Sequence, residues 1–321
     1  MSRIFTVVAL IAAVVGTIIP ADAQTYPNRP IKLIVPFPPG GPADVMGRLI
    51  AQPLSATLGQ VIVENRPGAG STLGAKAVAS AEPDGYTLLL GSSSTLAIGP
   101  ALYSNAGYDP IRSFVPIALV SDVPYVMIAA VDAPFATVQE LIAHAKANPG
   151  TVTFGVPNGA PPHALALSFK ALTGIEPLII PYRGASTLIT DMIGKRIHAG
   201  FETTSVMFGH LREGKVRGLG FVQPQRHPEI PTVPTMIEAG VPGLVGSSWT
   251  GLVAPAGTPA EIVNKVRAHA LDALKSPEML DKMKKLGAEV RLLSQDEFAA
   301  FIAAENQRLG TLIRAAGVKA E

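Results

Sequence analysis

The 321-residue chain has no cysteine, few aromatic residues (6%) and few charged residues (16%). Without cysteine there is no disulfide framework, thiolate zinc site, iron–sulfur cluster or cysteine nucleophile. The 26 Lys and Arg residues nearly balance the 24 Asp and Glu residues, and no basic run occurs, which argues against a nucleic-acid partner. The six histidines lack metal-ligand spacing, and no P-loop or zinc motif is present. The sequence therefore predicts neither a metal site nor a cofactor.

Long apolar runs are also missing, except at the N-terminus. Residues 4–19 carry no charge and follow Arg3, and residues 21–23 form an Ala-Asp-Ala pattern of the kind that signal peptidase cleaves. We interpret residues 1–23 as a signal peptide cleaved after Ala23, with an uncleaved membrane anchor as the alternative. No later segment is long and apolar enough to span a bilayer. We therefore expect an exported protein, and a bacterial periplasm suits a chain of this size that has no disulfides.

Glycine and proline, in contrast, are plentiful, and they recur where short apolar runs end. Residues 31–44 read IKLIVPFPPGGPAD, which predicts a buried strand, a Pro- and Gly-rich loop, and a helix opened by Pro42. The free N–H groups at such a helix N-terminus attract anions, so this loop is either an anion site or only a strand–helix connection. Strands and helices alternate along the whole chain, which predicts an α/β fold with largely parallel sheets.

Polar residues follow several other predicted strands, where ligands bind in open α/β sheets. Three serines at residues 92–94 follow the third strand, and His163 begins a helix after a Pro- and Gly-rich loop. Arg183 is either a bidentate partner for a carboxylate or an exposed loop arginine. Glu202 is either a solvated acid or an acceptor for a ligand hydroxyl or amine.

Enzymatic alternatives have less support. Ser93, His163 and Asp44 contain the side chains of a hydrolytic triad, but nothing in their spacing indicates an oriented base. The glycines of residues 68–74 follow a G-x-G-x-x-x-G pattern, one residue too long for a dinucleotide-binding fingerprint. We therefore expect a binding protein and not an enzyme, with an exported hydrolase as the alternative.

A set of longer motifs occurs in order along the chain. These are YPNRPI with VPFPPGGPAD (residues 26–44), ENRPGAG (64–70), PDGYTLLLG (83–91), PYRG (181–184), IPTVPT (230–235) and SSWTGLVAPAGTP (247–259). With these motifs the chain resembles the Bug-type, TctC-like solute-binding proteins, the periplasmic receptors of tripartite tricarboxylate transporters. The resemblance covers the whole chain after the predicted signal peptide.

This resemblance implies a two-lobed periplasmic-binding-protein fold of type II, the Venus-flytrap arrangement, with a mainly parallel sheet flanked by helices in each lobe. Lobe 1 would contain residues 24–121 and 247–321, and lobe 2 residues 122–246. A monomer would bind a small carboxylate in the cleft and deliver it to the membrane permease subunits. A ligand sensor that docks on a signalling partner is a further alternative.

The resemblance also implies a set of ligand-binding residues on both lobes. From lobe 1 these are Phe37, Pro39, Gly40, Gly41, Asp44, Ser92, Ser93 and Ser94. From lobe 2 they are Asn158, His163, Tyr182, Arg183, Gly184, Ala185, Phe201, Glu202 and Thr203.

Two stretches depart from the family pattern. Relatives commonly have Thr/Ser-Pro-Ser-His where this chain has Ala-Pro-Pro-His at residues 160–163, and Asp-Asn where it has Glu202 and Thr203. The first change removes two hydroxyl donors from one wall of the cleft. We therefore expect a ligand whose far end is apolar or aromatic, and the single Arg183 argues against a tricarboxylate.

Overall fold

A computed structural model describes residues 26–103, 105–157, 161–182 and 184–315. The predicted signal peptide lies outside the described residues, as do Asn158 and Arg183 of the predicted site. Among the described helices, none combines the length and the apolar character needed to cross a membrane.

Strands and helices alternate as the sequence predicts. The strands are β1 (Ile31–Val35), β2 (Val61–Asn65), β3 (Thr87–Ser92), β4 (Phe114–Ala129), β5 (Thr153–Pro157), β6 (Leu178–Tyr182), β7 (Ala199–Thr203), β8 (Arg217–Phe221) and β9 (Ser247–Pro255). The α-helices are α1 (Pro42–Leu58), α2 (Thr72–Ala79), α3 (Gly99–Leu102), α4 (Val138–Ala147), α5 (Pro161–Thr173), α6 (Ala185–Ile193), α7 (Thr204–Arg212), α8 (Ala260–Lys275), α9 (Pro277–Lys285) and α10 (Gln295–Ala315). A 3-10 turn (Ala69–Ser71) precedes α2, and a π-helical turn (Ser94–Ile98) follows β3.

The strands form two groups that share β4. In the first group the order is β2-β1-β3-β9-β4, and in the second β7 and β8 both pair with β4, while β5 and β6 continue from β7. The pairs β1–β2, β1–β3, β5–β6 and β5–β7 are parallel, whereas β4 and β9 run antiparallel to their partners. The α/β fold with two lobes is confirmed. The sheets are mixed, and the expectation that they are mainly parallel is corrected, because β4 and β9 return through the sheet in the opposite direction.

Strand β4 is longer than the sequence indicates. Its polar residues Ser121 and Asp122 and its Pro124 predict two separate apolar runs, but the strand continues through all three. Up to Pro124 it pairs with β9, and from Tyr125 onward it pairs with β7 and β8. The strands that pair with β4 therefore change close to the predicted lobe boundaries at residues 121 and 247. The division of the chain into these two lobes stays a prediction.

Helix α1 packs closely on β1, and this contact sets the position of the first loop. The buried side chains of Ile50 and Leu54 face the core, and burial of each stabilises the fold by about 1.5–3 kcal/mol. A Cβ atom at Gly47 would lie 2.6 Å from Cγ2 of Val35, so only glycine permits this approach. As a result, the N-terminus of α1 lies directly beyond the carboxyl end of β1.

The second lobe has an aromatic core beneath its sheet. The rings of Phe154, Phe169 and Phe201 lie with their centroids 5.9–6.5 Å apart, and all three are fully buried. Phe201 was predicted to line the ligand site, but its ring belongs to this core. Successive residues of a strand face opposite sides of the sheet, so Phe201 takes the core side and Glu202 the other.

Candidate functional site

A cavity of about 550 Å³ lies beyond the carboxyl ends of β1 and β3, against β4, β9 and the start of α5. From the predicted site it is lined by Phe37, Pro39, Gly40, Gly41, Ser92, Ser93 and Ser94. Sequence reasoning missed its other lining residues, namely Pro38, Pro42, Ala43, Met46, Ser121, Val123, Pro161, Ser248 and Thr250. The two loops that the sequence indicates therefore meet at one cavity, and the crossing strands supply a wall that it does not indicate.

The loop between β1 and α1 presents the helix N-terminus to this cavity. Gly40 has φ of +80°, which favours glycine, whereas Gly41 has φ of −80° and is the residue that precedes the first turn of α1. No side chain caps that turn, and Gly41, Pro42 and Ala43 all line the cavity. The positive end of the helix dipole and its N–H groups are therefore available to an anion.

Asp44 holds this loop in place and does not line the cavity. Its buried carboxylate accepts hydrogen bonds from Gly40 N, Arg48 Nε and Asn65 Nδ2, each at 2.9 Å. Asn65 Nδ2 also donates to the carbonyl of Phe37 at 3.1 Å. The hydrogen bond from Arg48, with those from Gly40 and Asn65, lowers the pKa of Asp44 to about 2. Asp44, predicted as a ligand contact, is placed here as a positioning residue that acts through the loop.

The serine loop offers two kinds of hydroxyl. Ser92 Oγ accepts from Thr95 N at 3.2 Å and lies 3.0 Å from Thr95 Oγ1, which in turn lies 3.0 Å from Ser71 Oγ. Within the described residues, the side chains of Ser93 and Ser94 make no hydrogen bond, although Ser93 is buried. The Ser92 hydroxyl therefore braces the turn, while the hydroxyls of Ser93 and Ser94 are available to a ligand.

A third wall comes from the strands that the two sheets share. Ser121 on β4 faces Thr250 on β9, and their hydroxyl oxygens lie 2.7 Å apart. Val123 and Ser248 lie two residues further along the same two strands and line the same cavity. Ser121 and Thr250 are 129 positions apart in the chain, so only the register of β4 against β9 brings them together.

No charged side chain is found among the cavity's described lining residues. Attraction for an anion must therefore come, in this part of the chain, from N–H groups and hydroxyls. Nor does any group of His, Asp and Glu in the described ranges have the arrangement that would hold a metal ion.

The predicted residues of lobe 2 that the structure describes lie at the ends of β6 and β7 and the starts of α5 and α6, outside the lining of the cavity. Burial lowers the pKa of His163, which keeps its ring neutral near pH 7. The hydroxyl of Tyr182 donates to Asp191 Oδ2 at 2.9 Å, and Gly184 and Ala185 begin α6. Pro161, two residues before His163, is the point where α5 reaches the cavity.

Glu202 is buried at the end of β7, and its Oε1 atom already accepts a hydrogen bond within the protein. Its Oε1 accepts a hydrogen bond from Thr203 N at 2.8 Å. Burial raises the pKa of the carboxyl group, and within the described residues no cation pairs with it. The carboxyl group keeps the capacity to accept a further hydrogen bond.

A two-lobed α/β fold with a ligand-sized cavity at its strand ends is the arrangement of a solute-binding protein. The family model described as "Tripartite tricarboxylate transporter family receptor" matches residues 46–318. Protein BugT of Bordetella pertussis is 38% identical over 322 residues, 99% of each chain. This chain therefore belongs to the family of tripartite tricarboxylate transporter receptors.

Solved structures agree with this assignment. A TctC solute-binding protein from Polaromonas, solved without ligand, is 30% identical with a TM-score of 0.82, over 91% of this chain and 100% of that one. The Rpa4515 protein of R. palustris, solved with adipate, is 32% identical with a TM-score of 0.75, over 91% and 98%. The resemblance drawn from the motifs is confirmed. Members of this family are solute-binding receptors and not enzymes, so the hydrolase alternative is excluded.

Proposed function

We propose that this receptor binds a small carboxylate with an apolar or aromatic far end, and that it delivers this ligand to the membrane subunits of a tripartite transporter. The observation that carries the proposal is the composition of the cavity. An uncapped helix N-terminus and free serine hydroxyls lie on one side, and apolar side chains lie on another. The solved relative with adipate supports a small carboxylate as the ligand class.

The carboxylate end of the ligand would bind at the start of α1. An anion gains about 0.3–1 kcal/mol from a helix dipole, and more where water is excluded. Hydrogen bonds from N–H and O–H donors to a charged group add about 1.5–3 kcal/mol each. Phe37, Pro39, Gly40 and Gly41 form the loop at this end, and Ser93 and Ser94 add hydroxyl donors beside it.

The far end of the ligand would meet the apolar part of the lining. Phe37, Met46 and Val123 supply apolar surface, and Pro161 lies between Ala160 and Pro162, the two positions where relatives commonly have hydroxyl residues. A volume of about 550 Å³ is in the range of small-molecule pockets, ~300–1,000 Å³. A multiply charged acid such as citrate would leave carboxylates against uncharged walls, and such burial costs several kcal/mol.

The other side of the cleft would come from lobe 2. We propose that residues 24–121 with 247–321, and residues 122–246, move as two lobes about β4 and β9 in a monomer. Closure would bring residues 158–163, 182–185 and 201–203 toward the ligand, including Asn158 and Arg183. A swing from mostly open to mostly closed requires about 5.5 kcal/mol of preference of the ligand for the closed state.

A thermal-shift screen with matched acids and amides tests this function. We expect benzoate or hexanoate, at a hundredfold excess over its Kd, to add about 2.7 kcal/mol to the free energy of unfolding, which appears as a raised melting temperature. Benzamide and hexanamide have the same shape without the charge, and they should have little effect. Amides that stabilise the protein as strongly as the acids would overturn the proposed carboxylate site.

Export is tested on the N-terminus of the protein recovered from the periplasm. We propose cleavage after Ala23, because residues 21–23 have the small-residue pattern that signal peptidase requires. Mass spectrometry of the periplasmic protein should give a chain that begins at Gln24, and an Ala23→Asp variant should keep its leader. Recovery of wild-type protein with the leader intact in the membrane fraction would contradict the proposal.

A further inference from the structure

The hydroxyl pair of Ser121 and Thr250 lies in the wall that β4 and β9 contribute to the cavity. The two oxygens are 2.7 Å apart, and the residues are 1% and 8% exposed. One hydroxyl donates to the other, and each hydroxyl has a single proton. Only one of the two O–H protons is donated within the pair. The other proton has no hydrogen-bond acceptor among the described residues.

We propose that this pair is a second polar recognition point, which selects, among such acids, those that carry one hydroxyl or carbonyl oxygen on an otherwise apolar or aromatic far part. The inference deepens the proposed function and rests on it. The N-terminus of α1 would bind the carboxylate, and the Ser121–Thr250 pair would form a hydrogen bond with the hydroxyl or carbonyl oxygen of the same ligand.

The chemistry of the pair suits either oxygen. A hydroxyl is one donor and two acceptors, so the unused proton can be donated to a ligand carbonyl or hydroxyl oxygen. If the direction of the bond within the pair reverses, the other oxygen presents the donor, and both oxygens keep lone pairs that can accept from a ligand hydroxyl. Recognition therefore does not depend on which of the two residues is the donor.

The position of the pair on paired strands also favours recognition over simple filling of space. Val123 and Ser248 are on the same face of the same strands, so Ser121 and Thr250 belong to a continuous wall of the cavity. Ser92, in contrast, has its hydroxyl tied to Thr95. Side chains on hydrogen-bonded strands hold their positions better than side chains on loops, which is what a specificity contact needs.

The expected selectivity is modest because the pair partly satisfies itself. A site whose buried polar groups lose every partner rejects the wrong ligand by ~10⁴-fold or more. Here an unsubstituted acid leaves the bond between Ser121 and Thr250 intact. The gain from one added hydrogen bond then corresponds to about fivefold in affinity.

The test compares acids that differ by one hydroxyl, with titration calorimetry on the mature chain. The probes are benzoate with 3- and 4-hydroxybenzoate, and hexanoate with 6-hydroxyhexanoate. We expect at least one hydroxylated acid to bind about fivefold more tightly than its parent. The double variant Ser121→Ala/Thr250→Val should bring this ratio to about one.

Replacing both partners of a buried hydrogen bond by apolar groups of similar shape is nearly neutral for stability, so the double variant should fold. Ser168→Ala removes a buried hydroxyl that donates to Ala164 O in α5, outside the cavity, and it should keep the wild-type ratio. Thr250→Ser keeps a hydroxyl and should retain the selectivity.

The outcomes separate the two proposals. Equal binding of every parent and hydroxylated acid by the wild-type protein would overturn the role of the pair, whether or not the double variant folds. A ratio that survives in a folded double variant would overturn it as well. If no acid of the series binds the wild-type protein, the proposed carboxylate function fails, and this inference fails with it.

Discussion

Gly41→Asp is expected to weaken binding of the carboxylate by ~100-fold or more and to leave the fold intact. Gly41 has φ of −80°, and a Cβ atom there would meet only Pro38 O, at an ordinary 3.6 Å. The new carboxylate would stand at the helix N-terminus that the ligand needs. Two like charges about 5 Å apart at an effective dielectric constant near 20 repel by ~3 kcal/mol, roughly 100-fold in affinity.

The matched control for this prediction is Gly41→Asn, which has the same shape without the charge. Both Asp and Asn are favoured residues before the first helical turn, so the melting temperature of the free protein should stay the same or rise in either variant. Calorimetry should show a clearly smaller loss of affinity for the Asn variant than for the Asp variant, because the Asn side chain can compete for the helix N–H groups but brings no charge. Equal affinity of the Asp variant and the wild-type protein would show that the loop is only a strand–helix connection.

Asp44→Ala is expected to reduce the free energy of unfolding by about 1–3 kcal/mol, because it removes a buried carboxylate that accepts three hydrogen bonds and anchors the loop. The donors are Gly40 N, Arg48 Nε and Asn65 Nδ2. Carboxylate affinity should fall too, since the loop that carries the binding groups loses its anchor. Denaturant unfolding and calorimetry measure the two effects.

The control for Asp44 is Asp281→Ala, which removes an exposed carboxylate paired with Lys285 at the i,i+4 spacing. Such exposed pairs contribute about 0.3–0.5 kcal/mol, so stability should barely change. If Asp44→Ala and Asp281→Ala have the same small effect, Asp44 does not hold the loop.

The stabilisation by Asp44 also has a defined pH dependence. Its pKa is lowered to about 2 in the folded protein, below the value near 3.9 of an unfolded chain. The unfolded state therefore takes up the proton first, and the contribution is complete above about pH 4 and lost as the pH falls toward 2. Unfolding free energies measured from pH 5 to pH 2 should fall less steeply for Asp44→Ala than for the wild-type protein.

Local patterns in the sequence indicate the two loops that meet at the cavity. The loop before Pro42 and the serines at residues 92–94 each combine a strand end with turn or hydroxyl residues, and such signals are contained in a few consecutive positions. The cavity is lined by both. The capping-box spacing of Thr137 with Glu140, and of Ser294 with Glu297, is an equally local signal, and the two hydroxyl oxygens accept hydrogen bonds from Glu140 N and Glu297 N.

Features that depend on long-range pairing were not predicted. From the sequence alone, Asp44 is a candidate ligand contact. In the structure, its carboxylate accepts hydrogen bonds from Arg48 and from Asn65 at the end of β2. In the sequence, Ser121 interrupts an apolar run. In the structure, it lies opposite Thr250 in the pairing of β4 with β9. In each case the partner is set by strand register, which no short stretch of sequence encodes.

The place of β9 in the sheet has a consequence for biosynthesis. In the sheet, β9 lies between β3 and β4, but in the chain it begins only at Ser247. Phe114, at the start of β4, therefore pairs with Pro255, at the end of β9. The first 246 residues can therefore form neither a complete first sheet nor the wall that carries Ser121 and Thr250. In a chain that emerges from its N-terminus, this sheet therefore stays open until residues 247–255 are available, so its completion waits for the last quarter of the sequence.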